Sequence, residues 1–376
     1  MAVGSGCPVL LSFVRTLVAH ANRTSYAARI FFCLQPSPVD GQLFGSRVPS
    51  ADCLASEHTY LRRASSLLCS NQRMIDAELQ QARAAKWHLD SKPVRTLDDA
   101  REFIESIGFC LMYPLRPAVL LPTFMGAFVG SDDRLPTIQH AFADPRAQDA
   151  TELMVRLLRE KSAFEANLFD ENNNFLVAAS VFPYFYALVG ERNPKQAPKA
   201  GARSEYSQLA VDAFEVIRRK GSISKQKLRE ELGGDPSLAA LDRALAELWS
   251  KLRITRVDYS PVEGASWDVL YRWAPDAVRE GVNLSVAEAL SALISKYLDS
   301  SIAAEPGEVE TFFSNLVPRS RVKESINALL AARELSFVHV GNRSLIQITP
   351  PKALPTARDQ QARPDPRRVK IGLRPR

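Results

Sequence analysis

The sequence lacks several features that would assign it to a familiar class. Its 376 residues contain no run of about 18 apolar residues, the length that a membrane-spanning helix needs. There is no glycine-rich phosphate loop and no Gly-x-Ser-x-Gly sequence. The five histidines are solitary, and none of the five cysteines forms a Cys-x-x-Cys pair. We therefore expect no membrane association, no metal site and no cofactor.

Basic charge is concentrated at the two ends of the chain, although the net charge is +6. Residues 350–376 hold eight Lys and Arg against two acids, and residues 1–73 hold seven Arg against three acids. The remaining body is therefore mildly acidic. A basic balance usually indicates a nucleic-acid partner, but here it says little about the part that folds.

Residues 1–73 differ in character from the rest, with no Lys, no acid before Asp40 and four of the five cysteines. A secretory signal would need a basic segment before its apolar stretch, and none is present. A transit peptide fits the composition, but we favour a disordered leader or a true start at Met74. The single body cysteine, Cys110, is expected to be a small buried apolar residue. This usage favours a reducing, cytoplasmic compartment.

The body divides at a segment rich in Pro, Gly, Ala and Lys, residues 191–204, which is typical of a linker. Before it, Thr96 is placed to cap a helix that Gly108 ends. The predicted organisation is a leader at 1–73, an N-terminal helical, winged-helix-like domain at 74–190, the linker, winged helices at 205–282 and 283–349, and a disordered basic tail at 350–376.

The segment 205–273 has the pattern of a winged helix, a helix-turn-helix followed by a β-hairpin. Helices are predicted at 205–220, at 225–232 with Ser224 as its cap, and from Ser237, where leucines recur three and four residues apart. The period then changes to two, which predicts a strand at 253–259. Trp267, Val269, Tyr271 and Trp273 are expected on one face of the return strand.

Residues 285–349 repeat this plan, with Ser285 capping the first helix and a helix at 319–332 in the third position. Two strands, 335–340 and 345–349, are joined by a turn that contains Gly341. The predicted fold class is therefore α+β and mostly helical, with tandem winged helices.

A helix-turn-helix presents its last helix to the major groove, so its exposed cations are candidates for DNA contact. In the first predicted winged helix, the third helix carries both acidic and basic residues. Cations elsewhere in that unit are therefore the better candidates. The alternative is that these charges form a solvated face of a protein-interaction module. The candidate DNA-binding residues are Lys225, Lys227, Arg229, Arg253, Arg256, Arg272, Arg319, Arg321, Lys323, Asn327 and Arg343.

The layout resembles the AlkZ/YcaQ group of crosslink-repair DNA glycosylases over roughly residues 74–349. The resemblance is carried by Asp98–Pro114, by Phe175–Pro183 and by the winged-helix patterns. It implies a Gln-x-Gln or Gln-x-Asp motif that holds water at an alkylated nucleotide. This chain has Leu111 and Tyr113 at those positions, and neither is a general base at neutral pH.

Three hypotheses follow. The first is a cytoplasmic bacterial protein that binds double-stranded, damaged DNA, is related to these glycosylases and lacks their catalytic pair. The second is an active glycosylase on alkylated or crosslinked DNA that uses other residues. The third is a winged-helix transcription regulator or protein-interaction module without catalysis.

Overall fold

The chain has a mixed fold, mostly helical, with three small three-stranded sheets among the described residues. Most of the predicted leader and tail, 1–72 and 351–376, lies outside those residues. No helix in the described part of the chain is long and apolar enough to cross a membrane. The computed structural model describes residues 73–90, 92–115, 119–140, 143–168, 175–201, 205–260 and 263–350.

A first unit, residues 97–178, follows the strand β1 and the helix α1. As predicted, Thr96 caps its first helix by accepting a hydrogen bond from the Asp99 amide, and Gly108, at a positive φ of 80°, ends that helix. The first strand follows directly. The sheet is antiparallel with the last strand central, in the order β2-β4-β3. The elements to this point are β1 (Arg73–Met74), α1 (Asp76–Lys86), α2 (Leu97–Ile107), β2 (Phe109–Leu111), α3 (Phe124–Val129), a 3-10 turn (Ile138–His140), α4 (Pro145–Arg159), β3 (Ala163–Ala166) and β4 (Phe175–Ala178).

A second unit, residues 208–269, repeats this order and has its own apolar core around Phe214 and Leu248. Ser224 caps its second helix, as the sequence predicted, and the third helix begins after Ser237, which caps it. The sheet order is β5-β7-β6, again with the last strand central. The connecting helix and this unit's elements are α5 (Phe182–Val189), α6 (Gln208–Lys220), β5 (Ile223–Ser224), α7 (Lys225–Glu231), α8 (Leu238–Ser250), β6 (Ile254–Ser260) and β7 (Gly264–Val269).

A third unit, residues 286–348, has the same order, with Ser285 capping its first helix in a capping box. Ala304 forms an antiparallel bridge to Ile346 in the place of the short first strand. The outer edge of the hairpin pairs in parallel with β1. The remaining elements are α9 (Leu270–Trp273), α10 (Pro275–Asn283), α11 (Val286–Ser301), α12 (Pro306–Phe313), α13 (Arg319–Ala331), β8 (Leu335–Val340) and β9 (Arg343–Ile348).

The return strand of the second unit is shorter than predicted, because Leu270–Trp273 is a turn of helix. Tyr271 and Trp273 therefore do not continue the strand face of Trp267. Asp268 pairs with Arg272 one turn later, and Arg272 also donates to the Ile217 carbonyl at the end of α6. These bonds stabilise the helical turn over the extended chain.

The first and third units share one apolar core. Phe109 of β2 lies 5.3 Å from Phe185 and 6.0 Å from Phe312, measured between ring centroids. Helix α10 packs closely on α5, where a Cβ at Gly281 would lie 2.7 Å from the Pro183 carbonyl. The two units are therefore fused by packing, as expected for a large common core.

Helix α1 packs on the third unit, far away in sequence. Arg83 is buried and donates to the carbonyls of Ser301, at 2.9 Å, and of Ala303, at 2.6 Å. Leu79 lies in a small apolar cluster with Val338 and Val340 of β8. The start of the described chain thus covers one face of the C-terminal hairpin.

Candidate nucleic-acid interface

Helix α13 of the third unit buries one face and exposes the other. Val322, Ile326 and Leu329 pack inward. Lys323 and Asn327 are exposed and lie four residues apart, so they share the solvent face. Both are candidates from the sequence.

The first turn of α13 is also exposed and basic. Its N-cap is Pro318, whose side chain has no group that can hydrogen-bond to the first amides. Arg319 pairs with Glu310 at 2.8 Å, and Arg321 lies 3.5 Å from Glu324. Both arginine side chains remain more than 60% exposed, so these pairs are weak and solvent-screened.

The corresponding third helices of the other two units begin differently. Helix α4 is capped by the carboxylate of Asp144, and α8 is capped by the hydroxyl of Ser237, which accepts from the Ala240 amide. An acidic cap repels phosphate, and a filled cap already satisfies one of the free amides. The start of α13 is therefore the best suited of the three to an anion.

The β-hairpin of the third unit turns at Gly341, which has a positive φ of 58°. Arg343 at this turn pairs with Asp76 of α1. Its side chain is half exposed, so this cation is shared between α1 and solvent.

Candidate cations of the second unit are held by partners within the unit. Lys225 pairs with Asp242 at 2.9 Å, and both side chains are less than 20% exposed. Lys227 pairs with Glu263 at 2.7 Å, and its hydrogen bond holds the pKa of that carboxyl below its usual value. Arg229 donates to the Pro236 carbonyl at 2.8 Å.

Arg253 and Arg256, two candidate phosphate contacts, lie inside the protein instead. Arg253 is 4% exposed, stacks over Phe214 at 4.8 Å and donates to the Gln196 carbonyl. Arg256 pairs with the buried Glu165 at 2.9 Å. Arg272, another candidate phosphate contact, donates to the Ile217 carbonyl at the end of α6. These arginines are held within the fold, since the terminal guanidinium nitrogens of Arg253, Arg256 and Arg272 each donate to a protein acceptor. The buried Nε atoms of Arg253 and Arg256 have no hydrogen-bond partner.

The Glu165–Arg256 pair joins the first and second units in a way that sequence reasoning missed. The Arg256 guanidinium lies 4.4 Å from the Trp249 ring and 5.0 Å from the Trp267 ring. The Trp249 indole also donates to the Glu165 carbonyl at 3.1 Å. The only sequence signal was an acid within an otherwise apolar strand, which predicts a buried partner without naming it.

The two positions that resemblance assigns to catalysis are buried. Leu111 is 4% exposed and Tyr113 is 7% exposed. The Tyr113 hydroxyl lies 3.4 Å from the Thr151 hydroxyl, which donates to the Ala147 carbonyl. Burial raises the pKa of Tyr113, so the phenol stays protonated at neutral pH. These two side chains cannot supply a general base. Among the described residues, no group of three His, Cys, Asp or Glu could hold a metal ion.

The chain is therefore a mostly helical protein built from repeated units, each with a small sheet. Comparison with known proteins identifies its family. The AlkZ related family model matches residues 94–314, so the chain belongs to that family. A solved structure described as Streptomyces sahachiroi DNA glycosylase AlkZ is similar at 12% sequence identity. That similarity covers 74% of this chain and 70% of the other, with a TM-score of 0.48. A search of the curated proteins found no match.

Proposed function

We propose that the three units are winged helices and that the chain is a cytoplasmic protein that binds double-stranded, damaged DNA, with the family's catalytic pair absent. Membership of the AlkZ related family supports a role in DNA repair. The helix-strand-helix-helix-hairpin order supports the winged-helix assignment, with the last strand central in the first two units and flanked by the Ala304 bridge in the third. The cysteine usage noted above supports the compartment.

The exposed face of α13 is the observation that carries DNA binding. Arg319, Arg321 and Lys323 are exposed in the first two turns of a helix whose N-cap residue supplies no capping side chain. Free amides and a helix dipole favour phosphate, and nearby arginines add charge-assisted bonds. Lys323 and Asn327 then face the groove in the position of a recognition helix.

The absence of a base at Leu111 and Tyr113 supports binding without glycosidic hydrolysis. An alkylated base leaves as a neutral group, yet the sugar still needs a water positioned by a polar pair. A leucine and a buried, protonated phenol offer none. We therefore expect no base release at this position.

Salt-dependent binding tests the DNA-binding proposal. The full chain should bind a duplex with an affinity that falls as salt rises, and Lys323→Glu and Arg321→Glu should weaken it and reduce the salt slope by about 0.9 for each lost phosphate contact. Arg279→Glu, an exposed charge change on α10, is the matched control and should leave both values unchanged. A chain ending at Pro350 removes the basic tail as a separate polyanion binder. Binding that disappears with the tail, or that ignores the α13 variants, would reject the proposal.

A lesion-release assay tests the catalytic part. The chain is incubated with alkylated or crosslinked duplex DNA, and abasic sites are then measured. We expect release at the background rate, equal in wild type and Tyr113→Phe. Release above background would favour the alternative of an active glycosylase with a different set of residues.

A further inference from the structure

The hairpin of the third unit carries an exposed aromatic ring beside α13. Leu335 and Ile346, on one face of this hairpin, are buried in the same core as Val322 and Ile326 of α13. Phe337 is opposite Ile346 in the register, so it continues that face, yet it is 48% exposed. A single exposed apolar side chain is common on protein surfaces, so what matters for Phe337 is what lies beside it.

The equivalent hairpin position is used differently in the three units. In each unit the residue in question is the third paired residue of the first hairpin strand, and these residues are Glu165, Arg256 and Phe337. Glu165 and Arg256 cover each other in the buried ion pair between their units. Phe337 is the member of this set that remains open to solvent.

A second ring lies next to it. His339 is exposed and is two residues from Phe337, so alternation places both rings on one face of β8. The neighbouring helix presents Arg321 and Lys323 to solvent. Exposed cations on a helix that packs on a hairpin with exposed rings are complementary to a polyanion that also carries flat apolar groups, and a nucleic acid with unstacked bases has both.

We propose that Phe337, assisted by His339, is a stacking platform for an unpaired base, so that the third unit prefers DNA with a locally opened duplex to a perfect duplex. This inference rests on the proposed function, since α13 must first hold the phosphates. In a perfect duplex the bases are stacked on each other and offer no free face to the ring. At a bubble or bulge one face becomes free, and a ring such as Phe337 can replace the lost neighbour.

The test compares one fluorescently labelled duplex with the same duplex carrying a central unpaired bubble that contains 2-aminopurine. Wild-type chain should bind the bubble more tightly and change the 2-aminopurine emission. Phe337→Ala should lose about 5- to 150-fold in affinity for the bubble, the range typical for loss of one stacked base, with little change on the perfect duplex. Phe337→Tyr should restore the preference.

Two controls separate stacking from structure. Phe337→Leu keeps an apolar side chain without a ring, so it should fold as wild type and still lose the preference. Ile348→Ala removes another exposed apolar residue from the same hairpin face, and should change neither affinity. Both are compared with wild type by urea unfolding.

The outcomes distinguish this inference from the proposed function. Salt-dependent duplex binding with no preference for the bubble overturns the stacking platform and leaves the proposed function standing. An equal loss on both DNAs in Phe337→Leu shows a structural role and also overturns it. No binding to either DNA removes both proposals.

Discussion

Replacing Glu165 by Gln removes one charge from the buried ion pair that joins the first and second units. The Glu165 side chain is 1% exposed and that of Arg256 is 17% exposed, with 2.9 Å between Oε1 and Nη1. Gln keeps the shape of Glu165 but leaves the Arg256 charge without its counter-ion. Breaking a buried pair on one side costs about 3–5 kcal/mol, and we expect a loss of this size. That is a large share of the 5–15 kcal/mol that typically stabilises a protein.

The two tryptophan rings that contact Arg256 reduce this cost only in part. Each cation–π contact contributes about 0.5–2 kcal/mol, and both contacts remain in Glu165→Gln. Replacing Arg256 by Met at the same time removes the uncompensated charge and keeps a flexible apolar side chain against Trp249 and Trp267. The double variant should therefore be less destabilised than the sum of the two single variants, by about 0.5–3 kcal/mol.

The measurement is urea unfolding followed by tryptophan fluorescence, to which Trp249 and Trp267 contribute. Asp276→Asn is the matched control, because it breaks an ion pair with Arg279 whose side chains are 84% and 74% exposed. The control should change the free energy of unfolding by less than about 1 kcal/mol. If Glu165→Gln matched this control, or if the double variant were simply additive, the coupling of the two units through this pair would be refuted.

Two further predictions concern other buried groups. Arg83→Met should lower the free energy of unfolding by about 2–3 kcal/mol, because the carbonyls of Ser301 and Ala303 lose charged donors, and Arg83→Lys should not restore it, which urea unfolding can measure. Burial raises the pKa of Tyr186 from 10.0 to about 12, so the folded chain keeps this proton after the unfolded chain has lost it. The contribution of protonated Tyr186 to the free energy of unfolding is therefore complete below pH 10 and is lost as the pH rises toward 12. The stability of Tyr186→Phe should fall less than that of wild type over this range, and an equal fall would contradict the assignment.

Local patterns in the sequence predicted much of each unit. The predicted caps Thr96, Ser224 and Ser285 are confirmed, since a cap depends on a side chain and on amides three residues away. The change of period from 3.6 to 2 after α8 correctly marked the hairpin of the second unit. The predicted end of the return strand was wrong, because the alternating aromatic residues through Trp273 are equally compatible with one turn of helix.

Long-range packing was beyond such patterns. Helix α1 was expected to begin an N-terminal domain, whereas Arg83 bonds to residues more than two hundred positions later. No periodicity in 76–86 specifies which distant surface its apolar face covers. The exposure of Phe337 is similar, because alternation assigns it to a strand face but not to the part of that face that extends beyond the core.

The candidate interface shows why counting cations is a poor guide to a nucleic-acid surface. The second unit offers six of the candidate cations, yet Lys225, Lys227 and Arg256 each have a carboxylate partner. A paired or buried cation must lose that partner, at a cost in free energy, before it can bind a phosphate. The third unit has fewer cations, but Lys323 lies exposed on a helix whose start carries no capping side chain. What decides between the units is therefore the acceptor that each cation already has. A sequence can reveal that acceptor only when both partners lie on one helix, as Arg321 and Glu324 do.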